Sequence, residues 1–228
     1  MKVSIIIPIL NSRRVVQRQM KHFRKMWLED DVEIIFMDDG SDPPLDFPNI
    51  RIKNFTMFHT NDFRPWTNEL ARNKGAELAK GEFLLMTDID HILTKEAIEA
   101  VRNFDGDKMV FPRYFGVLNN KGDIETDNPA RYGWKMRGRS AGLHSNTFAI
   151  RKKIYFELGG YVERWCITGK HISAAERRFN SRWYKSSEAG TYKEQVIGPI
   201  IYFYPAGRYH VTGDNNPMEL FHNLPYEV

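Results

Sequence analysis

The sequence predicts an α/β fold: one domain built on a mostly parallel central sheet. Three observations predict it. Short continuous apolar runs alternate with stretches of helical periodicity through the first half of the chain, the pattern of strands buried on both faces with crossover helices between them. No Pro/Gly/Ser-rich linker, internal repeat or low-complexity segment interrupts the chain. Its 228 residues fit one core, which grows to roughly 250 residues before chains divide. The expected organisation is a single domain over residues 1–228, with a ligand-binding half at 1–105 and a second half at 106–228.

The elements follow in order. Val3 to Leu10 is an apolar run with a β-branched centre and reads as a doubly buried strand. Ser12 is placed to cap a helix whose stripe is Val16, Met20, Phe23 and Trp27. Val32 to Met37 is a second buried strand and runs into Asp38-Asp39-Gly40-Ser41. Arg51 to Phe58 suits an edge strand. A helix from Thr67 to about Lys80 follows, with Gly81 at its C-cap position. Glu82 to Thr87 is the next buried strand and leads into Asp88-Ile89-Asp90; Thr94 then caps a helix to about Phe104. Met109 to Leu118 reads as a strand, with a hairpin turn at Asn119-Asn120-Lys121-Gly122. Residues 123–145 suggest a functional loop. Thr147 to Arg151 is a short strand, continued by a helix to about Leu158. Ile172 to Trp183 is a helix, Gln195 to Tyr204 a late strand, and the tail from Gly213 has little periodicity.

Composition excludes several classes. Hydrophobic residues at 42% and charged residues at 27% describe an ordinary globular chain rather than a disordered one. The net charge of +4 is spread along the chain without a long Lys/Arg tract or a helix-turn-helix or zinc-finger spacing, so nucleic acid is not expected as a partner. The mild excess fits either a solvated surface or steering of an anionic substrate. Cys166 is the only cysteine, which rules out an intrachain disulfide. No apolar run approaches the ~20 residues of a membrane span, and the N-terminus lacks the parts of a signal peptide. The expected location is the cytoplasm.

Ligands on parallel sheets collect at the carboxyl ends of the strands, and both acidic clusters fall there. Strand periodicity of two would turn Asp88 and Asp90 to one side, with Ile89 in the core. Paired carboxylates repel unless a cation lies between them; Mn²⁺ or Mg²⁺ accepts such oxygens together with substrate phosphates. The bland alternative is a solvated turn. Asp38 and Asp39 fit either recognition of a base and ribose or Asp-Gly turn chemistry with a helix cap. Arg72 and Asn73 lie in a helix beside Gly75, whose presence implies close backbone packing or ligand approach. Arg72 suits a phosphate or ribose by its fork of donors, or belongs to an exposed basic face. Of seven histidines, His91, His144, His171 and His210 stand near these segments, and spacing singles out none as a ligand.

Four segments, Ser4-Ile5-Ile6-Ile7-Pro8, Phe36-Met37-Asp38-Asp39-Gly40-Ser41, Ala71-Arg72-Asn73-Lys74-Gly75 with Ala79-Lys80-Gly81-Glu82, and Thr87-Asp88-Ile89-Asp90, occur in the order and spacing of the GT-A glycosyltransferases, especially the family 2 type. Phe148-Ala149-Ile150-Arg151-Lys152 and Leu158-Gly159-Gly160-Tyr161 resemble the acceptor-side segment of that family. The resemblance implies a GT-A, Rossmann-like nucleotide-diphospho-sugar transferase fold. It implies metal-dependent, inverting transfer from a nucleotide sugar, commonly UDP-linked, to a carbohydrate, lipid-linked or protein acceptor. Pro8 would then flank the base and Asp38 and Asp39 would bind the nucleoside. Arg72 and Asn73 would stand near the ribose or diphosphate. Asp88 would contact the ribose or a metal-bound water, and Asp90 would hold Mn²⁺ or Mg²⁺. His210 is similar to the late histidine that completes the metal site in β-1,4-galactosyltransferases. One departure concerns the general base. Lys170-His171 stands where many relatives carry an acidic pair, which leaves His171 or Glu163 to take the acceptor's proton. The same departure would suit a catalytically degenerate sugar- or nucleotide-binding module. A sugar-phosphate nucleotidyltransferase is disfavoured, because Pro8-Ile9-Leu10-Asn11-Ser12 has no glycine to form a phosphate loop.

Overall fold

The computed structural model describes residues 1–47, 51–64, 68–126, 140–166 and 174–203. Among them the first half alternates as read from the sequence. Strand β1 (Val3–Ile9) leads to helix α1 (Arg13–Met26), and β2 (Val32–Asp38) to the edge strand β3 (Phe55–His59). Helix α2 (Asn68–Leu78) precedes β4 (Phe83–Met86), and a two-residue strand β5 (His91–Ile92) precedes α3 (Lys95–Arg102). The second half comprises β6 (Lys108–Phe115), the hairpin β7 (Val117–Leu118) and β8 (Ile124–Glu125), and the long strand β9 (Ser140–Arg151). Helices α4 (Lys152–Glu157), α5 (Glu163–Cys166) and α6 (Ala174–Glu188) follow, then β10 (Val196–Ile197) and β11 (Ile201–Phe203).

The main sheet runs β3-β2-β1-β4-β9-β6-β11-β5, with β10 also on β6. Its first four strands are parallel. Every residue of β1, β2 and β4 is buried, which only a sheet covered on both faces requires. One face packs Ile5, Ile7 and Phe36 against Val16, Met20 and Phe23 of α1 and Ile98 of α3. The opposite face packs Ile6, Met37, Leu84 and Phe148 against α2, α4 and α6. Gly75 is explained by this second face: a Cβ there would lie 2.6 Å from Ile6 Cγ2, so α2 crosses β1 at a spacing that only glycine allows.

Several expectations need correction. Ser12 precedes α1, but its hydroxyl donates to the Leu10 carbonyl instead of capping the helix. Trp27 ends the helix in a left-handed conformation (φ 48°) and is 86% exposed, outside the buried stripe. Gly81 is not among the glycines with positive φ; it is small because Ser4 N would lie 2.6 Å from its Cβ. By contrast, Thr94 caps α3 as expected, its Oγ1 accepting from Ala97 N at 3.1 Å. The 109–118 strand is broken at Gly116, where Tyr202 of β11 crowds the backbone. The short strand expected at 147–151 is instead twelve residues long. It runs antiparallel between β4 and β6, with register shifts between Val110 and Pro112 and between Arg113 and Tyr114 on β6.

The topology opens a crevice. Strand β2 lies on one side of β1 and β4 on the other, so the strand order reverses there, and ligands on open α/β sheets bind at such reversals. Pro8 marks the fork. Thr87 N donates to Ile6 O and Asp39 N to Ile9 O, so even-numbered residues of β1 face β4. The β1–β4 ladder stops at Ile6 and Met86, and the N–H that Pro8 lacks would have pointed where β4 has already turned away.

Candidate active site

The carboxyl edge of β2 is organised by Asp38. Its buried carboxylate accepts from Ser41 N (3.0 Å) and Leu45 N (2.9 Å) and meets His59 Nδ1 (3.0 Å) across the β2–β3 register. These bonds fold the loop after β2. Asn11 ties that loop to the one after β1: its N–H donates to Ser41 Oγ (2.7 Å) and its Oδ1 accepts from Asp42 N (2.6 Å). Asp38 thus shapes the wall of the crevice. Asp39, 5% exposed, meets the Thr60 hydroxyl at 3.4 Å.

Asp88 follows the end of β4, on the opposite side of β1 from Asp39. Its two oxygens face different groups. Oδ1 accepts from the Arg72 guanidinium, which also donates to the Thr87 carbonyl at 3.3 Å. Oδ2 faces His144 Nδ1 at 3.5 Å and His91 Nδ1 at 3.8 Å. Arg72 is fully buried behind this carboxylate, where Asp88 raises its affinity for its proton against the opposing effect of burial. It therefore positions Asp88 rather than presenting its donors at the surface, and the exposed-face reading does not hold. Arg72 Nε and Nη1 have no partner among the described residues.

The network assigns the His91 tautomer. Arg113 Nη1 lies 3.1 Å from His91 Nε2 and can only donate, so without a cation the ring proton belongs on Nδ1, which faces the Thr147 hydroxyl; a cation held through Nδ1 would take that proton's place. His91 is buried; His144 is half-buried and stacks edge-on against it at 5.0 Å.

Asp88, His91 and His144 offer ligand atoms all within 4.8 Å of one another. One carboxylate oxygen with two imidazole nitrogens is a donor set for a divalent transition ion; an all-oxygen shell would suit Mg²⁺ better. The pairing expected from strand periodicity is not seen. Ile89 and Asp90 form a turn after β4, so Asp90 no longer follows the alternation and stands outside this group. Ile89 does enter the core as expected.

Beside the group, a cavity of about 680 Å³ lies between β6, β9 and α6. His144 lines it, together with Lys108, Glu176, Arg177, Asn180 and Tyr184. Glu176 is half-buried, and its charge acts on both Glu69 and Tyr161, as does that of Asp88. Burial pushes Glu69 up to about 7, although Arg72 draws it down. Asn73 does not face this cavity. Its amide is committed to the Gly159-Gly160-Tyr161 turn, where Oδ1 accepts from Tyr155 Oη (2.6 Å) and Tyr161 N (3.0 Å) and Nδ2 donates to the Tyr161 carbonyl (2.7 Å). That staple replaces the ligand contact expected of Asn73. Glu163 is exposed and lies 3.7 Å from Arg64. His171 and His210 lie outside the described residues.

Sequence reasoning placed His91 and His144 among four candidate histidines without singling them out, and did not single out Glu176. Glu176 carried a signal: it shares a face of the expected 172–183 helix with Phe179 and Asn180, at spacings of three and four. The histidines converge only through β9, whose antiparallel pairing leaves no local trace.

This fold and this edge define a sugar-nucleotide-type transferase architecture, and the family model for glycosyl transferase family 2 matches residues 4–159. The chain belongs to that family, and so to the glycosyltransferases. Among curated relatives, the poly(ribitol-phosphate) beta-N-acetylglucosaminyltransferase TarP of Staphylococcus aureus (strain N315) is 24% identical over 86% of this chain and 50% of its own length. Glycosyltransferase GlyG of Streptococcus pneumoniae serotype 4 is 28% identical over 54% of this chain and 42% of its own. The chain thus spans about half the length of these relatives. Among solved structures, residues 1–349 of S. aureus TarS in complex with UDP-GlcNAc align with TM-score 0.57 at 16% identity, covering 89% of this chain and 58% of that one. The mannosyltransferase PcManGT of Pyrobaculum calidifontis, in complex with GDP-Man and Mn²⁺, aligns with TM-score 0.53 at 14% identity, covering 91% and 58%. These likenesses support the GT-A architecture expected from the sequence. Among the described residues, no helix is long and apolar enough to cross a membrane.

Proposed function

We propose that this chain transfers a sugar from a nucleoside-diphosphate sugar to an acceptor hydroxyl, with inversion at the anomeric carbon. The observation that carries this reading is Asp88 at the strand-order reversal, one oxygen fixed by a buried arginine and the other facing two imidazoles at 3.5 and 3.8 Å. Asp88, His144 and His91 would hold a divalent cation, Mn²⁺ in preference to Mg²⁺. When bound, that ion supplies the positive charge that the departing diphosphate requires. Asp39, at the neighbouring strand end, is the candidate for the nucleoside, beside the loops that Asp38 and Asn11 lace together.

Glu176 is the proposed general base. It lines the cavity that shares His144 with the cation group, so an acceptor hydroxyl held there lies between the base and the donor. A sugar hydroxyl is a weak nucleophile until its proton has a recipient, and a positioned carboxylate provides one. The TarS complex with UDP-GlcNAc and the N-acetylglucosaminyltransferase activity named for TarP make UDP-GlcNAc the first donor to test.

The test is Mn²⁺-dependent turnover of UDP-GlcNAc, GDP-mannose and other nucleotide sugars, followed by release of nucleoside diphosphate. The expected result is slow release with one donor, lowered roughly 10²- to 10⁴-fold by Glu176→Gln in the presence of an acceptor, the range typical of losing a general base. Saturable nucleotide binding without release under any condition would assign the chain to the binding modules instead.

A further inference from the structure

The cavity beside the proposed site has an unusual floor. Lys108, at the start of β6, is 1% exposed. Its ammonium lies over three aromatic rings, Trp183 at 5.0 Å, Phe148 at 5.1 Å and Tyr184 at 5.8 Å. Among the described residues its single hydrogen-bond partner is Asn180 Oδ1, a neutral acceptor at 3.2 Å. An ammonium has three donors, so two of them have no protein acceptor among those residues. Nor does any carboxylate among them form an ion pair with it, although Glu176 and Glu188 line the same cavity. Desolvation is the only influence on its acidity and brings it down to about 7. A buried cation without a counter-charge is a costly arrangement, because transfer from water is uncompensated. Ring faces recover only part of that loss. An apolar residue would fill this floor more stably. Arg177 and Lys185, on α6, add two further cations around the mouth.

We propose that this cavity is an acceptor subsite for an anionic substrate, with Lys108 the counter-charge for a phosphate or carboxylate group on the acceptor. The inference rests on the transferase reading, and it adds the substrate class. The anion lies at the floor between Lys108 and Asn180, and the hydroxyl to be glycosylated lies towards Glu176 and His144. The ring of Tyr184, which lines the cavity, forms the wall against which the acceptor's carbon skeleton packs.

The test follows the Lys108 side-chain resonances in lysine-labelled protein, assigned by their loss in Lys108→Arg. Glycerol phosphate, glucuronate and neutral glycerol are the probes, and exposed Lys53 is the internal control. The expected result is a saturable shift of Lys108 with an anionic probe at concentrations at least about tenfold below any response to glycerol, equivalent to about 1.4 kcal/mol, with Lys53 unmoved. A response to glycerol phosphate alone assigns a phosphorylated acceptor; a response to glucuronate alone assigns an acidic sugar. Asn180→Asp supplies an internal carboxylate at the same position and is expected to weaken the anion response at least tenfold, about 1.4 kcal/mol. A Lys108 signal indifferent to both anions, in protein that still binds nucleoside diphosphate with Mn²⁺, overturns the inference and leaves the transferase reading standing. A responding Lys108 in protein that binds no nucleotide also overturns it as an acceptor subsite, and then the transferase reading has failed with it.

Discussion

Two buried cations lie on the same face of the sheet, beneath α2 and α6, and they are built differently. Arg72 is fully buried and spends its charge on Asp88 and the Thr87 carbonyl. Lys108 is nearly as buried, yet rings and one neutral amide surround it. The first arrangement is closed: its charge is answered inside the protein, and its work is to aim a carboxylate. The second is open: its charge is unanswered and faces a cavity. The difference separates a residue that aims a carboxylate from the one proposed to recognise the acceptor, within one layer of one fold.

Replacement of each partner breaks or sharpens this contrast. The largest effect is expected for Arg72→Met, which leaves Asp88 without its counter-charge at the edge of the core; breaking such a pair costs about 3–5 kcal/mol, measurable by urea unfolding. Lys108→Met is expected to do the opposite at pH 7, leaving stability unchanged within about 1 kcal/mol or raising it, since an apolar side chain of similar length suits an aromatic floor. Equal losses in the two variants would erase the distinction.

The pH dependence gives a smaller and more specific signal. Lys108 is depressed from its usual value of 10.5 to about 7 in the folded state. Its contribution to stability is therefore complete above 10.5 and is lost as pH falls to 7, so the parent gains stability between pH 7 and 10.5 and Lys108→Met gains less. Glu69 is raised from 4.5 to about 7. Its contribution is complete below 4.5 and is lost as pH rises to 7, and Glu69→Gln flattens that acid-side slope. Thermal unfolding across pH 4 to 10 reads both. A Lys108→Met variant that keeps the full alkaline gain would contradict the uncompensated amine.

The parts of the molecule differed in how far their sequence exposed them. Strands β1, β2 and β4 are buried along their whole lengths, so each announced itself as an apolar run. Thr94 announced α3, because a cap is a local interaction. Asp38 and Asp88 were found at strand ends because topology alone puts them there. The rest depended on distant partners. In its first half β9 pairs with β6 at Ser140, Gly142 and Leu143 and then bulges before the pairing resumes at Phe148, so side-chain alternation does not mark it. Only that pairing brings His144 to Asp88. At Asp88-Ile89-Asp90 the period of two reaches past the strand, since β4 ends at Met86 and a turn follows. Lys108 gave no warning, since its aromatic floor is assembled from β9 and α6.

Asp88 and its two histidines are proposed to gather a cation that a nucleoside diphosphate shares. Calorimetric titration with UDP and with GDP, each with and without Mn²⁺, tests it most directly on the parent, His144→Ala and Asp88→Asn. Mn²⁺ is expected to tighten one nucleotide in the parent, and this gain to fall at least about tenfold (about 1.4 kcal/mol) in His144→Ala and to vanish in Asp88→Asn. A metal-dependent gain of equal size in all three proteins would contradict it.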